Sequence, residues 1–297
     1  MGELFALINA AGWSCGMVFA RRAQQRAQVG ILGGLYCSLL VNTVINLMMF
    51  LGGLLAQPLP PVTVRGMVFF VLGGVCNSLI GRGLLFYTVS LLGAARAGVV
   101  KATTPVFALL CGVFLLHEVI APLDWLGIAA VLCGVLTIAI GGARRNQGGA
   151  AWDGTAVRGV LFGLLASLFL ALGNLFRKLG VSAIPSSSVG VFVGSLSALS
   201  VLSVFLLITG PGILRQALRH LDRDYAVSGL STSVALYFLF TSLQMIPLSI
   251  ANSLTAAEPL FTLLLGRLLL GRQEKPTPAL VAGALSTVLG AVLLACF

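Results

Sequence analysis

The chain is a series of long apolar stretches separated by short polar or basic breaks. Five of them fall at Leu4–Ala20, Gly30–Leu55, Gly66–Leu92, Ala95–Leu116 and Leu123–Gly141. A polar break from Gly142 to Arg158, holding Arg144, Arg145 and Asp153, is followed by five more at Gly159–Phe176, Val189–Gly210, Tyr225–Ile246, Leu248–Leu270 and Pro278–Cys296. A helix needs about 20 apolar residues to cross a bilayer, and no stretch shows the roughly ten-residue alternation of a membrane strand. The pattern predicts ten membrane helices, with short connections that make consecutive helices antiparallel neighbours.

Composition agrees. The 297 residues are 58% hydrophobic and 9% charged, against roughly 25% charged in a soluble domain. The first stretch has no basic segment before it and is followed by Arg21, Arg22 and Arg26, so it reads as a retained span rather than a cleaved leader. A net charge of +10 would suggest nucleic acid in a soluble protein. Here most basic residues lie between apolar runs, as topology determinants do, and nucleic-acid binding is not expected. Cys15, Cys37, Cys76, Cys111, Cys133 and Cys296 all lie inside apolar runs without C-x-x-C spacing, which supports neither a disulfide framework nor a metal site.

The two sets of five repeat one another. Ala97, Ala102, Pro105, Phe107 and Gly112 overlie Ala251, Ala256, Pro259, Phe261 and Gly266 at a constant offset. After two extra residues in the second copy, Glu118, Gly127 and Gly134 overlie Glu274, Gly283 and Gly290. At the front of each half, Phe19-Ala20-Arg21-Arg22 overlies Leu175-Phe176-Arg177-Lys178. Five is odd, so the second copy enters the bilayer from the opposite face. The expected architecture is an all-α membrane protein of ten transmembrane helices in two inverted five-helix repeats (residues 1–142 and 159–297) around a linker (143–158). Such pairs are found in transporters, with the substrate site near the midplane between the repeats.

The paired segments Ala97–Glu118 and Ala251–Glu274 each hold small residues, a proline, an apolar continuation and a terminal acid, followed by a helix with G-x6-G. In these the sequence resembles the EamA-type ten-helix members of the drug/metabolite transporter superfamily. The resemblance implies a bundle with a central cavity that acts as a secondary carrier of amino acids, related metabolites or other polar cargo. Arg82 and Lys101 fall outside any general pattern of that family.

Charges inside apolar runs are costly and usually face a cavity or a partner. Arg82, in Gly81-Arg82-Gly83, offers a fork for a carboxylate or phosphate, or else a structural ion pair. Lys101 lies four residues before Pro105, whose ring removes the hydrogen bond to the Lys101 carbonyl; Pro259 does the same for Thr255. Both prolines are expected as kinks and gating points, their freed carbonyls either binding a cation or being satisfied by Thr hydroxyls. Glu258 is a proton-relay or cation candidate, or the salt-bridge partner of Lys101 or Arg82. Asn42 and Asn46 share a helix face, as do Asn9 and Trp13, and Tyr237 and Thr241. They line a cavity or bond across helices; Trp13 and Tyr237 are candidates to stack on an organic cation.

The spacings Gly12/Gly16, Gly30/Gly34, Gly159/Gly163 and Gly190/Gly194 read as close helix packing. Gly12-Trp13-Ser14-Cys15-Gly16 matches a hydrolase elbow, but in a continuous apolar helix, which excludes that chemistry. Asp222 and Asp224 beside His220 form a weak metal-like cluster surrounded by Arg215, Arg219 and Arg223, better read as a loop facing lipid headgroups. Connections after odd-numbered runs carry Arg21, Arg22, Arg26, Arg96, Arg144, Arg145, Arg158, Arg215, Arg219, Arg223, Arg272 and Lys275. Those after even-numbered runs carry only Arg65, Arg177 and Lys178, which puts both termini outside.

The expected function is secondary active transport of a small polar metabolite across the inner membrane, by rocking about the third, fourth, eighth and ninth helices. Export of amino acids or related carboxylates leads, exchange of phosphorylated metabolites follows, and a non-transporting membrane enzyme or scaffold is the rival class. Neither metal nor cofactor is expected, with coupling to protons or another ion left open. The partners are a small-molecule substrate and the bilayer, for a monomer or a homodimer.

Overall fold

The computed structural model describes residues 1–27, 30–56, 58, 60–92, 100, 101, 103–119, 122–145, 154–219, 221, 223–255, 257, 258, 261, 264, 265, 282, 283, 285, 286, 289, 290 and 293. Every regular element among them is helical. These are α1 (Gly2–Ala27), α2 (Ile31–Ala56), α3 (Val64–Gly73), a π-helical segment (Gly74–Gly81), α4 (Arg82–Leu92), α5 (Thr104–Leu115) and α6 (Pro122–Arg145). After the polar break come α7 (Gly154–Ala183), α8 (Ser187–Thr209), α9 (Pro211–Arg219), α10 (Arg223–Met245) and α11 (Leu248–Thr255).

Among the described residues, six helical stretches are long and apolar enough to cross a membrane: Gly2–Phe19, Ile31–Leu55, Val64–Thr88, Val157–Ala183, Ser187–Thr209 and Arg223–Met245. They match the first three and the sixth to eighth apolar runs. The fourth run is not one helix: it turns at Thr103, leaving α5 as a shorter apolar helix. The sixth run does not stop at its basic pair. No proline intervenes before Pro185 and the single Gly180 is tolerated within the helix, so α7 continues through Arg177 and Lys178 to Ala183, and neither is a connection residue. Much of the later part of the ninth run and most of the tenth lie outside the described residues.

Local chemistry sets several boundaries. Thr63 caps α3 by accepting the Gly66 N–H at 3.2 Å, and Ser186 caps α8 by accepting that of Val189 at 3.4 Å. The π segment sits where backbones touch: a Cβ on Gly74 would meet the Gly194 carbonyl, and one on Gly173 would meet Asn77. Glycine is the residue that allows this approach.

Packing follows an exchange rule between elements before and after the polar break. α1 packs along α10, and α7 packs along α3, the π segment and α4; α1 also meets α11, as α7 meets α5. Similarly, α2 packs on α10, as α8 packs on α3 and the π segment. α1 and α10 are antiparallel, because Gly12 abuts Ala235 whereas Gly16, a turn later, abuts Ser228 and Thr232. α3 and the π segment are likewise antiparallel to α7: Gly73 abuts Arg177, and Gly81 abuts Leu170. The largest buried cluster centres on Phe70, Phe240, Leu236, Leu239 and Leu243. A second gathers Leu35, Leu39, Leu202 and Leu206 around Tyr225.

The G-x-x-x-G expectation holds in part. Gly12, Gly16, Gly163, Gly190 and Gly194 all face a neighbouring element closely. Gly30 does not: nothing lies within 4 Å of a Cβ placed there, and it sits exposed before α2.

Candidate functional site

The π segment organises the polar centre. π-helical turns are rare and recur at functional sites; this one presents Asn77 and Ser78 to α7 and delivers Arg82 as the first residue of α4. Arg82 is 3% exposed. Its guanidinium lies 4.9 Å above the Trp13 ring, and Nη2 donates to Ser38 Oγ at 3.2 Å. Its Nε is buried with no hydrogen-bond partner. A buried charged donor without a partner is expensive, and it is a ready place for an acceptor.

Lys101 Nζ donates to Glu258 Oε2 at 2.7 Å, with both side chains partly exposed (25% and 19%). The Glu258 carbonyl also accepts from Ser14 Oγ at 2.7 Å, tying this pair to α1. The pairing of Glu258 with Lys101 is thus the one formed, and Glu258 also acts electrostatically on Arg82. The Lys101 carbonyl accepts the Thr104 hydroxyl at 2.7 Å, which is the satisfied alternative for the bond that Pro105 removes. Pro105 lies within the first turn of α5, just after the turn at Thr103. There its missing N–H has no helical partner to lose. The expected mid-helix kink at Pro105 is therefore a helix break. Pro259 lies outside the described residues.

Asn42 donates to Ser233 Oγ at 2.7 Å, and Asn46 donates to Asn42 Oδ1 at 3.2 Å. They share a face, as their spacing requires, and that face is turned onto α10. Asn46 Oδ1 is buried without a partner. Asn9 donates to the Ala235 carbonyl at 2.8 Å. Tyr237 packs edge-on against Phe238, and Thr241 bonds Ser187 at 2.9 Å. Trp13 stacks on Arg82, a cation of the protein itself. Asp224 pairs with Arg22 at 3.4 Å; His220 and Asp222 lie outside the described residues.

Arg177 was not expected here. It is as buried as Arg82, at 3% exposure. Its Nη1 donates to Asn174 Oδ1 at 3.0 Å and Nη2 to Ser78 Oγ at 3.1 Å, and it lies 5.6 Å from the Phe240 ring centre. Asn77 donates to the same Asn174 oxygen at 3.1 Å, and Asn174 donates to Asn252 at 2.6 Å. The centre therefore holds Arg82, Arg177 and Lys101 against the Glu258 carboxylate. The signal in the sequence is the absence of proline up to Pro185, against which the basic pair reads as the end of the run.

A second polar cluster closes one end of the bundle. Lys178 Nζ donates to the carbonyls of Leu243 and Ile246 at 2.6 and 2.8 Å, capping the end of α10. Glu118 accepts the N–H groups of Leu248 and Ser249 at the start of α11. A cavity of about 380 Å³ opens beside Glu118, Lys178, Gln244 and Pro247.

These features define a multi-pass helical membrane protein with a charged interior. The model of the EamA-like transporter family matches twice, at residues 1–140 and 157–296, so the chain belongs to that family and carries its domain in two copies. A solved crystal structure, described only as that of a protein, superposes with a TM-score of 0.74 at 16% identity; the match covers 99% of this chain and 98% of that one, and shows a shared fold. No curated protein matches.

Proposed function

We propose that the protein is a secondary active transporter that moves a small carboxylate-bearing metabolite across the inner membrane by alternating access, with amino-acid export as the leading case. The observation that carries this reading is Arg82: a guanidinium buried inside a membrane bundle, stacked on Trp13, with Nε left for an incoming acceptor. Membership of a transporter family supports it. Two halves of opposite topology, five helices each, are part of the proposal. The exchange packing and the antiparallel pairing of α1 with α10 support that arrangement, since the first and third helices of parallel repeats would run alike. Rocking of the halves would open the Lys101–Glu258 contact to one side and then the other.

The test is counterflow in proteoliposomes loaded with leucine, glutamate or glycerol 3-phosphate. Saturable exchange of an amino acid, lost in Arg82→Gln, is the expected result. Unchanged exchange in that variant overturns the role of Arg82, and ohmic conductance in place of saturable flux overturns the carrier. Exchange of phosphorylated metabolites is the second reading, favoured by Arg177 beside the same segment.

A further inference from the structure

We infer that Arg177 is a second anion-binding group of the central site, and that the cargo presents a dianionic group, a dicarboxylate or a phosphate monoester, spanning Arg82 and Arg177. This rests on the transport reading above and narrows its carboxylate-bearing cargo to molecules with two anionic oxygen pairs or a phosphate, which among amino acids fits an acidic one such as glutamate and not leucine.

Three observations converge. First, the two guanidiniums are anchored at neighbouring positions of one segment. Arg177 is held by Ser78, and Ser78 and Arg82 lie four residues apart on the same π-to-α segment, on one face about a turn from each other. The charge of Arg82 acts directly on Arg177. Second, the charge is only partly offset: Glu258 acts on Arg82 but is already paired with Lys101, which leaves an excess of positive charge. Among the described residues neither guanidinium forms a salt bridge; their acceptors are the Ser38 and Ser78 hydroxyls and the Asn174 amide oxygen. Neutral acceptors satisfy geometry but not charge, and two like charges buried together cost far more than one. Third, the two arginines come from opposite sides of the polar break, Arg82 from α4 and Arg177 from α7. A ligand bound to both bridges the halves, where a carrier of two repeats needs it.

Each guanidinium lies against an aromatic ring, Trp13 or Phe240, which restricts approach to its edges. Planar forks presented edge-on suit the oxygen pairs of carboxylate and phosphate. The Asn77–Asn174–Asn252 chain fixes the Arg177 side from the π segment to α11, so that guanidinium is preorganised.

The test uses the purified full chain in detergent, titrated with succinate, glycerol 3-phosphate and propionate and read by calorimetry and melting shift. At least one dianion should bind about tenfold or more tightly than propionate; succinate or glycerol 3-phosphate giving the larger shift distinguishes the two sources. Arg177→Gln should bring that dianion down to the propionate level while leaving propionate within about twofold, and Arg177→Lys should recover part of the preference. Equal affinity of the wild type for propionate and both dianions overturns the inference and leaves the carrier reading standing. That comparison needs no variant to fold. A uniform loss for all three anions in Arg177→Gln also overturns it, because a purely structural arginine would behave that way. Binding of no anion, together with absent counterflow, overturns the transport reading itself.

Discussion

The Glu118 carboxylate grips Ser249 twice: Oε2 accepts its backbone N–H at 3.1 Å and its hydroxyl at 2.6 Å, while Oε1 accepts the Leu248 N–H at 2.6 Å. A carboxylate at a helix N-terminus satisfies orphan donors and meets the positive end of the helix dipole. Glu118 reaches this place because the chain folds back after α5, its N–H donating to the Gly112 carbonyl at 3.0 Å, with His117 left-handed at φ 52°. Lys178 caps α10 across the same turn.

From this contact we expect Glu118→Ala to cost about 2–3 kcal/mol, since charged hydrogen bonds to buried donors are lost. Glu118→Gln, which keeps an acceptor and loses the charge, should cost about 1 kcal/mol. Equilibrium unfolding of the purified protein in mixed micelles measures both. Equal stability of the two variants and the wild type would mean that water serves the α11 terminus equally well.

Lys101 and Glu258 invite a double-mutant cycle. At a quarter exposure or less, this pair is neither a fully screened surface bridge nor a dry one. A coupling of about 1–2 kcal/mol between Lys101→Met and Glu258→Gln is expected, between those limits. The same unfolding assay reads it, and a coupling within error of zero would show that the two side chains meet without consequence for stability.

How far these contacts were legible depends on whether the sequence carries a local cue. A membrane chain cannot leave Lys101, Arg82 and Glu258 in lipid, so their placement inside the bundle follows from composition and position, whereas the choice of Lys101 over Arg82 as the partner of Glu258 does not. Asn42 and Asn46 share a face because four residues complete a helical turn, but nothing in their spacing names Ser233 as the partner. Pro105 was read inside a helix because hydropathy continues smoothly through the Thr103 turn; apolar residues are equally at home in a turn buried in the bundle. Arg177 was lost to the opposite error, a charge taken as a boundary although α7 runs on to Ala183. Gly30 has no neighbour because G-x-x-x-G says only that a close approach is sterically open, not that a partner exists.

Glycine positions separate those two cases experimentally. Gly74→Ala drives a methyl into the Gly194 backbone carbonyl, and backbone cannot swing aside as a side chain can. A loss of about 2 kcal/mol or more is expected, or failure to fold. Gly52→Ala meets nothing within 4 Å and replaces glycine inside α2. It should be neutral or stabilise by up to about 1 kcal/mol, the helix-propensity difference. Thermal unfolding of both variants in one detergent decides; equal effects would place α8 farther from the π segment than the close approach requires.

The asparagines of α2 offer the remaining choice between a cavity lining and a cross-helix bond. Asn42 spends its amide on Ser233 Oγ at 2.7 Å and its carbonyl on Asn46, so neither end is held open for cargo. A bond between membrane helices contributes about 0.6 kcal/mol on average, and that is the coupling expected between Asn42→Ala and Ser233→Ala in unfolding. Counterflow should then keep its half-saturation within about twofold in either variant, because a lost cross-helix bond of that size changes stability without removing a ligand contact. Asn46 differs from its neighbour in one respect: its Oδ1 is buried and unpartnered. Asn46→Leu removes that unsatisfied acceptor but strips Asn42 Oδ1 of its donor, so the two desolvation terms offset and a stability change within about 1 kcal/mol is expected. A half-saturation raised about tenfold or more by Asn46→Leu, with unfolding unchanged, would instead make that oxygen a contact to the transported molecule.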